Sequence, residues 1–306
     1  TGGAPVASFA QDRLWFLHQL DPDRTDYNEC VVVALDGPLD RGALARALAT
    51  VVDRHAALRA TFTAGPDGPI VHTADRVELA IAPLALTATT AAARADEARA
   101  AIDALAARPF DLTVAPLARA ALAELAPDRH LLAIVLHHLL CDGRSVHLLS
   151  DELAAAYAAA VTGAPAALPT LPAQYADLAR HERAQLTPAR AAELAGYWRQ
   201  QLADMPTSIA LPTEPTGGPA RGGRAAFALS AEVSARLRAL ARAEGVTVST
   251  ALLAAWCALL QRYAGQDDLP IGLPVTQRAR PEAQPLIGFF VNTVVVRGDK
   301  IGRAHV

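Results

Sequence analysis

An unbroken apolar run at residues 131–136, followed directly by His137 and His138, is the feature that most constrains how this chain of 306 residues folds. The run is short enough for a strand, and its lack of polar positions is typical of a strand buried on both faces. A helical pattern follows over residues 145–161. We therefore expect the two histidines on a loop between a buried strand and a helix.

Helical and extended patterns alternate through the rest of the chain as well. Helices are predicted over residues 11–20, 40–55, 91–107, 174–185, 188–203, 230–245 and 249–265, with Asp40, Ser230 and Ser249 as N-caps. Further strands are predicted over residues 29–35, 225–229, 269–275 and 290–296. Residues 162–172 are rich in Gly, Pro, Ala and Thr and lack apolar periodicity, which is typical of a linker. The pattern predicts a mixed α/β (α+β) protein with an N-terminal lobe at residues 1–165 and a second lobe at 173–299.

Composition narrows the classes of function. The chain has 28 Lys and Arg against 31 Asp and Glu, so it has no basic excess to neutralise a phosphate backbone. Its apolar stretches fall short of the roughly 20 residues that cross a bilayer. Cys30, Cys141 and Cys257 are far apart and form no Cys-x-x-Cys pair, which fits a reducing compartment. We expect a cytoplasmic protein with neither nucleic acid nor membrane as a partner.

The end of the chain has an unusual sequence. Lys300 is the sole lysine, against 27 arginines (28 minus 1), and residues 300–306 can be encoded by a stretch that resembles a sequencing adapter. We predict that residues 300–306 are a non-native tail and that the natural domain continues past Asp299. The second lobe is then incomplete.

The segment from His137 to Ser145 is the sharpest candidate for chemistry. Histidine has an ordinary pKa near 6.5, so an imidazole on this loop can take up a proton at neutral pH. Two other interpretations remain open from spacing alone. One is a buried histidine pair with Asp142 as a helix cap, and the other is a metal site of His137, His138, Cys141 and Asp142, although no second cluster of ligands accompanies them. The sequence also has no glycine-rich phosphate loop, so we expect no bound nucleotide.

Residues 137–143 resemble the His-His-x-x-x-Asp-Gly signature of condensation domains in nonribosomal peptide synthetases, which have the chloramphenicol acetyltransferase-like fold. Four other segments resemble motifs of that family in the same order, at residues 8–17, 54–62, 175–179 and 287–297. Ala56, Ala60 and Arg144 depart from the usual residues, and the closing motifs are absent. The resemblance implies a V-shaped pseudo-dimer of two lobes with a central tunnel.

The resemblance also implies a reaction, in which the acceptor's α-amine attacks a donor acyl or peptidyl thioester to form an amide. Both substrates would arrive on phosphopantetheine arms of peptidyl carrier protein domains beside an adenylation domain, with no cofactor or metal bound by this domain itself. His137 argues against heterocyclising members, and Val146 with His147 argues against epimerising ones. Residues 8–17 and 287–297 most resemble the subtype that joins an L-configured donor to an L-acceptor. The alternatives are an ester-forming acyltransferase of the same fold and a non-catalytic scaffold that docks carriers; truncation would explain an inactive fragment.

His138 is the catalytic residue that the resemblance implies. It would act either as the base that removes the amine proton or as the group that stabilises the charged tetrahedral intermediate. We expect His137 to shape the loop and Gly143 to let substrate or backbone approach closely.

Asp142 is expected to have a structural role. By the same resemblance it would form an ion pair with an arginine of the second motif, Arg54 or otherwise Arg59. Asn292 lies on a strand that in the family approaches the tunnel from the second lobe. It is expected either to contribute to the site or to occupy a turn or bulge.

Overall fold

The computed structural model describes residues 6–212 and 225–299. Its α-helices are α1 (Phe9–Leu20), α2 (Arg41–Arg54), α3 (Ala91–Ala106), α4 (Gly143–Thr162), α5 (Tyr175–Gln185), α6 (Pro188–Gln201), α7 (Ala231–Ala243) and α8 (Val248–Ala264). Its strands are β1 (Asn28–Asp36), β2 (Ala60–Gly65), β3 (Gly68–Thr73), β4 (Ile81–Leu84), β5 (Ala118–Ala126), β6 (Arg129–His137), β7 (Asp268–Thr276) and β8 (Val291–Asp299). Short 3₁₀ turns lie at Ala56–Arg59, His138–Leu140 and Pro281–Ala283. The mixed α/β class predicted from periodicity is confirmed.

The chain divides into two compact units. The first contains the residues up to Thr187 together with Thr276–Asn292, and the second contains Pro188–Val275 with the residues from Thr293 onward. The lobe boundary between residues 165 and 173 stays a prediction, and the proposed tail at 300–306 lies outside the described residues.

The first unit is built on a four-stranded sheet in the order β1-β6-β5-β4. β6 runs antiparallel to both β1 and β5, while β4 and β5 are parallel. Residues 132–135 of β6 are each at most 1% exposed, so successive side chains are buried on alternate faces of the sheet. This confirms the strand that the apolar run predicted, and it places the end of β6 inside the main core.

In the first unit, α1 to α4 each begin at a capping side chain: Ser8, Asp40, Thr90 and Asp142. Asp40 accepts a 2.8 Å hydrogen bond from the backbone of Ala43 at the start of α2, as the sequence predicted. α2 buries Leu44, Leu48 and Val51 in the main core, and it packs against α4. Because α4 starts at Gly143, directly after the loop that follows β6, this packing holds the C-terminal end of the loop, and the pairing of β6 with β1 and β5 holds its other end.

The second unit has a small core of its own. Cys257 and Leu260 of α8 pack with Leu269 and Ile271 of β7. β7 and β8 form a two-stranded sheet, across which Arg297 and Asp268 form an ion pair of 2.6 Å. In the part of the chain that the structure describes, no single helix is long and apolar enough to cross a membrane, although α7 and α8, joined at a bend of 104°, reach that length and composition together.

Three local predictions were wrong or incomplete. Residues 225–229 are not a strand: no neighbouring strand pairs with them in the described residues, and Phe227 is 88% exposed. Thr247, and not Ser249, caps α8 by accepting from Thr250, because the chain enters the helix two residues earlier than predicted. The sequence analysis also missed β2 to β5, and the Ala-rich β5 has a helix-forming composition that pairing between β4 and β6 overrides.

Candidate active site

The loop after β6 is tied to its surroundings through its backbone. The His137 N–H donates to the Leu117 carbonyl at 3.0 Å, and the His138 N–H donates to the Tyr27 carbonyl at 2.8 Å. The second bond continues the pairing of β1 and β6 by one residue past the end of β6. The backbone at His138 is therefore anchored to the residue that precedes β1.

The His138 ring has a defined orientation and tautomer. Its Nδ1 lies 2.6 Å from the backbone carbonyl oxygen of Cys141. A carbonyl oxygen only accepts, so Nδ1 must carry the hydrogen, and in the neutral ring Nε2 holds the lone pair. The Phe289 ring packs against the imidazole in a T-shaped contact with centroids 4.8 Å apart. The His138 side chain is 23% exposed, so the ring is partly open to solvent.

Glu29 lies directly beside this nitrogen. Its Oε1 is 3.3 Å from Nε2 of His138. The strand register pairs Glu29 with Leu136, which brings the first residues of β1 next to the end of β6. The sequence analysis did not single out Glu29, although a carboxylate inside a β-branched run at 29–35 was a signal that could have been used.

His137 lies on the opposite side of the loop, in the core, and is 2% exposed. Its Nδ1 accepts a 3.1 Å hydrogen bond from the Leu139 N–H, and its ring makes edge contacts with His18 and Phe110. Burial lowers the pKa of His137 to about 3, with smaller contributions from the neighbouring histidines. The ring is therefore neutral at physiological pH and can accept from Leu139, which shapes the turn that carries His138.

Asp142 is buried and forms an ion pair with Arg278. Arg278 Nη2 lies 2.9 Å from Asp142 Oδ1, and the two side chains are 3% and 2% exposed. Asp142 also caps α4 by accepting from the Ser145 N–H at 2.8 Å, and its Oδ2 accepts from the Phe290 N–H at 3.1 Å. Burial by itself would raise the pKa of Asp142, but the hydrogen bonds from Arg278 and Ser145 outweigh it and lower that pKa. Asp142 is thus both a helix cap and an ion-pair partner.

The predicted partner of Asp142 was therefore wrong. Arg54 instead donates to Glu152 at 3.1 Å, and Glu152 also contacts His55. Arg59 donates to the backbone carbonyls of Ala74 and Val52. Arg54 is the last residue of α2, and the packing of α2 against α4 places its side chain beside Glu152, ten residues after Asp142. The arginines of the second motif are therefore not the partners of Asp142. Arg278 lies 136 residues from Asp142, and no local pattern marks it as the partner.

The two remaining predicted residues lie at the edges of this arrangement. A Cβ built on Gly143 would have no atom within 4 Å, so the space beside it is open. Asn292 lies near the start of β8, where its Oδ1 accepts a hydrogen bond from Arg13 of α1. The structure thus links the first of the resembled motifs to the last through a polar contact.

Phe289 also lines a cavity of about 220 Å³. The other lining residues include Ser8, Tyr175, Glu182, Gln277 and Arg280. Burial raises the pKa of Glu182, although a hydrogen bond from the Phe9 N–H opposes that rise. A largely apolar cavity therefore adjoins the aromatic ring that supports His138.

The histidines, Cys141 and Asp142 do not converge as a metal site would. Within residues 6–212 and 225–299, no three His, Cys, Asp or Glu side chains come together in an arrangement that could hold a metal ion. Asp142 faces Arg278, and His137 faces the core, so their polar atoms point to different partners.

Comparison with known proteins decides the family. The family model described as "Condensation domain" matches residues 3–303. The chain belongs to the condensation domain family. The chain is 42% identical over 299 residues to phosphinothricin tripeptide synthetase PhsC of Streptomyces viridochromogenes, an alignment that covers 97% of this chain and 27% of PhsC. The condensation domain therefore spans about a quarter of the length of that curated relative.

Solved structures show the same fold. The X-domain from teicoplanin biosynthesis, in complex with OxyB, superposes with a TM-score of 0.85 at 29% sequence identity. The superposition covers 98% of this chain and 66% of the chain in that structure. The first condensation domain of the calcium-dependent antibiotic synthetase, in complex with a substrate analogue, superposes with a TM-score of 0.80 at 25% sequence identity. That superposition covers 97% of this chain and 69% of the chain in the solved structure. The predicted chloramphenicol acetyltransferase-like fold and membership of the nonribosomal peptide synthetase condensation domains are confirmed. Peptide-bond formation by acyl transfer is the general function of that family.

Proposed function

We propose that this condensation domain joins a donor acyl or peptidyl thioester to an acceptor aminoacyl thioester, with His138 at the reacting atoms. In this reaction the acceptor nitrogen forms a bond to the thioester carbonyl carbon and the carbon–sulfur bond breaks. The nitrogen gives up a proton and the departing thiolate gains one. The observation that carries the proposal is the orientation of the His138 imidazole: its Nδ1–H donates to the Cys141 carbonyl, so the partly exposed neutral ring has its lone pair on Nε2.

Two roles of Nε2 are compatible with this geometry. As a general base it would take the proton from the attacking amine, which is typically worth about 10²- to 10⁴-fold in rate. In its protonated form it would stabilise the oxyanion of the tetrahedral intermediate. Both roles require the imidazole to be held in one orientation, which the Cys141 carbonyl and the Phe289 ring provide.

The other predicted residues would support His138 from a distance. Asp142 and Arg278 hold the first turn of α4 and the backbone of Phe290, which directly follows the ring packed on His138. His137 keeps the turn compact as a neutral ring. The open space beside Gly143 would admit part of a substrate.

The substrates would be delivered by carriers. We propose that phosphopantetheine arms of a donor and an acceptor peptidyl carrier protein present the two thioesters, with an adenylation domain nearby and no cofactor bound by this domain. The similarity to a tripeptide synthetase supports this assignment. The resemblance of residues 8–17 and 287–297 to the subtype that joins L-configured residues supports an L-donor and an L-acceptor. The protein would work in the cytoplasm.

The test is amide formation between a loaded donor carrier and a loaded acceptor carrier, with the parent domain and His138→Ala in parallel. We expect the variant to lose at least about 100-fold in rate. His72→Ala, which removes an exposed imidazole from the β2–β3 hairpin, is the matched control and should retain the parental rate. Equal rates for the parent and His138→Ala would contradict the assignment.

A docking scaffold is the second candidate function. The X-domain that shares this fold was solved in complex with another protein, OxyB. Carrier binding without turnover by a folded domain with His138 intact would favour this function. Turnover with a hydroxyacyl acceptor in place of an aminoacyl one would instead favour the ester-forming alternative.

A further inference from the structure

Glu29 and His138 present two hydrogen-bond acceptors to the same point. Because the Cys141 carbonyl occupies the Nδ1–H of His138, the nitrogen that faces Glu29 is the one with the lone pair. Oε1 of Glu29 lies 3.3 Å from that nitrogen. Two acceptors this close repel each other unless a hydrogen donor satisfies both of them. A ligand that brings hydrogens and positive charge would satisfy both acceptors at once.

Strand geometry explains why the carboxylate is there. Side chains alternate along β1, so Glu29 shares a face with Val31 and Val33, which are less exposed than Cys30 and Val32 on the other face. A carboxylate on the inner face of a strand loses hydration unless it finds a charged or donating partner. Among the described residues, the side chain that Glu29 contacts is that of His138. Both side chains remain partly exposed, at 43% for Glu29 and 23% for His138, so a ligand can reach them.

We propose that Glu29 and Nε2 of His138 together bind the α-ammonium of the acceptor amino acid, so that Glu29 favours an amine over an alcohol as the attacking group. This inference rests on the proposed condensation function. An ammonium group has three N–H donors and a positive charge, so it can donate to both acceptors at once. An alcohol has one O–H and no charge, and it can satisfy only one of them.

The proton balance follows from this arrangement. The bound ammonium first gives one proton to Nε2, and the neutral nitrogen then attacks the thioester carbonyl carbon. When the carbon–sulfur bond breaks, a second proton leaves the nitrogen and one proton ends on the thiol sulfur. Glu29 remains a carboxylate throughout and acts as a binding residue for the amine.

The experiment compares Glu29→Gln with the parent on two small acceptors, alanyl-pantetheine thioester and lactyl-pantetheine thioester, which differ only in amine against hydroxyl. We expect kcat/KM for the alanyl acceptor to fall about 10-fold, mainly through KM, because the variant loses a hydrogen bond between a carboxylate and a charged donor. The value for the lactyl acceptor should change less than about 2-fold. Glu29→Asp, which keeps the charge, should recover part of the loss. Asp36→Asn, which removes a carboxylate from the other end of β1, is the matched control and should behave as the parent.

A binding measurement separates this inference from the proposed function. Amide isosteres of alanyl- and propionyl-pantetheine, which differ by the amino group, are titrated into each protein without a donor thioester, so that no amide can form. We expect the parent to prefer the alanyl compound about 10-fold, and Glu29→Gln to lose that preference. Parent protein that shows the preference but makes no amide would refute the proposed function and leave the ammonium site standing.

Two results would overturn the inference itself. An equal loss with alanyl and lactyl acceptors would mean that Glu29 only holds the imidazole. No amine preference in the parent, or an unchanged preference in Glu29→Gln, would mean that Glu29 does not contact the acceptor.

Discussion

The ion pair between Asp142 and Arg278 offers the sharpest test of how the loop carrying His138 is held. Arg278 donates to Asp142 at 2.9 Å and also to the backbone carbonyls of Ala283 and Leu286, at 2.6 and 2.8 Å. Its guanidinium therefore joins the cap of α4 to the segment that leads into β8. Replacing Arg278 by Gln removes the charge and most of these donors at once.

The expected cost follows from burial. Both side chains of the pair are at most 3% exposed, and breaking a buried ion pair by removing one partner costs about 3–5 kcal/mol. In Arg278→Gln the Asp142 carboxylate keeps its hydrogen bonds from Ser145 and Phe290, so we expect the lower end of that range. A loss of ~3 kcal/mol corresponds to a fall in Tm of roughly 6–12 °C for a protein of this size class.

A double-mutant cycle tests which arginine is the partner. Asp142→Asn is combined with Arg278→Gln in one cycle and with Arg54→Gln in a second, and the free energy of unfolding is measured by urea denaturation followed by circular dichroism. We expect a coupling energy of about 1–3 kcal/mol between residues 142 and 278, and additivity within ~0.5 kcal/mol between residues 142 and 54. Arg54 is the matched control because it is itself held in an ion pair, with Glu152. Coupling to Arg54 together with additivity at Arg278 would refute the reasoning and restore the pairing predicted from the sequence.

Further predictions concern His137, Gly288 and Cys141. Burial lowers the pKa of His137 to about 3, so below pH ~6.5 the unfolded chain binds more protons than the folded protein. The free energy of unfolding should therefore fall by ~1.4 kcal/mol per pH unit from pH ~6.5 towards pH ~3. Urea unfolding at several pH values should show a smaller dependence of this free energy on pH for His137→Asn than for the parent. Gly288→Ala would bring a Cβ to 2.1 Å from Tyr175 Cδ2, so thermal unfolding should show a loss of ~1–3 kcal/mol, whereas Gly143→Ala should stay within about 0.5 kcal/mol. Burial raises the pKa of the Cys141 thiol, so a thiol reagent should modify Cys141 only after unfolding; modification in the native protein would contradict the buried position.

Much of the local structure could be predicted because its causes lie within a few residues. The apolar run at 131–136 identified β6, and Asp40 and Ser230 cap the helices that the spacing predicted. Such features depend on side-chain periodicity and on hydrogen bonds that span three positions. The predicted strand at 225–229 failed, and β5 was missed, because a strand depends on the partner beside it more than on its own composition.

The candidate site likewise combines features that neighbouring residues predict with features that only tertiary contacts set. The segment from His137 to Gly143 could be recognised from the sequence because its residues are contiguous, and its position between a strand and a helix followed from the flanking patterns. Tertiary structure alone decided that Glu29 lies beside His138 and that Arg278, not Arg54, pairs with Asp142. These pairs join residues 109 and 136 positions apart (138 minus 29, and 278 minus 142), and strand register and core packing bring them together. The sequence by itself determined which residues form the loop after β6, whereas packing determined which charges surround that loop, because electrostatic contacts depend on distance in space and not along the chain.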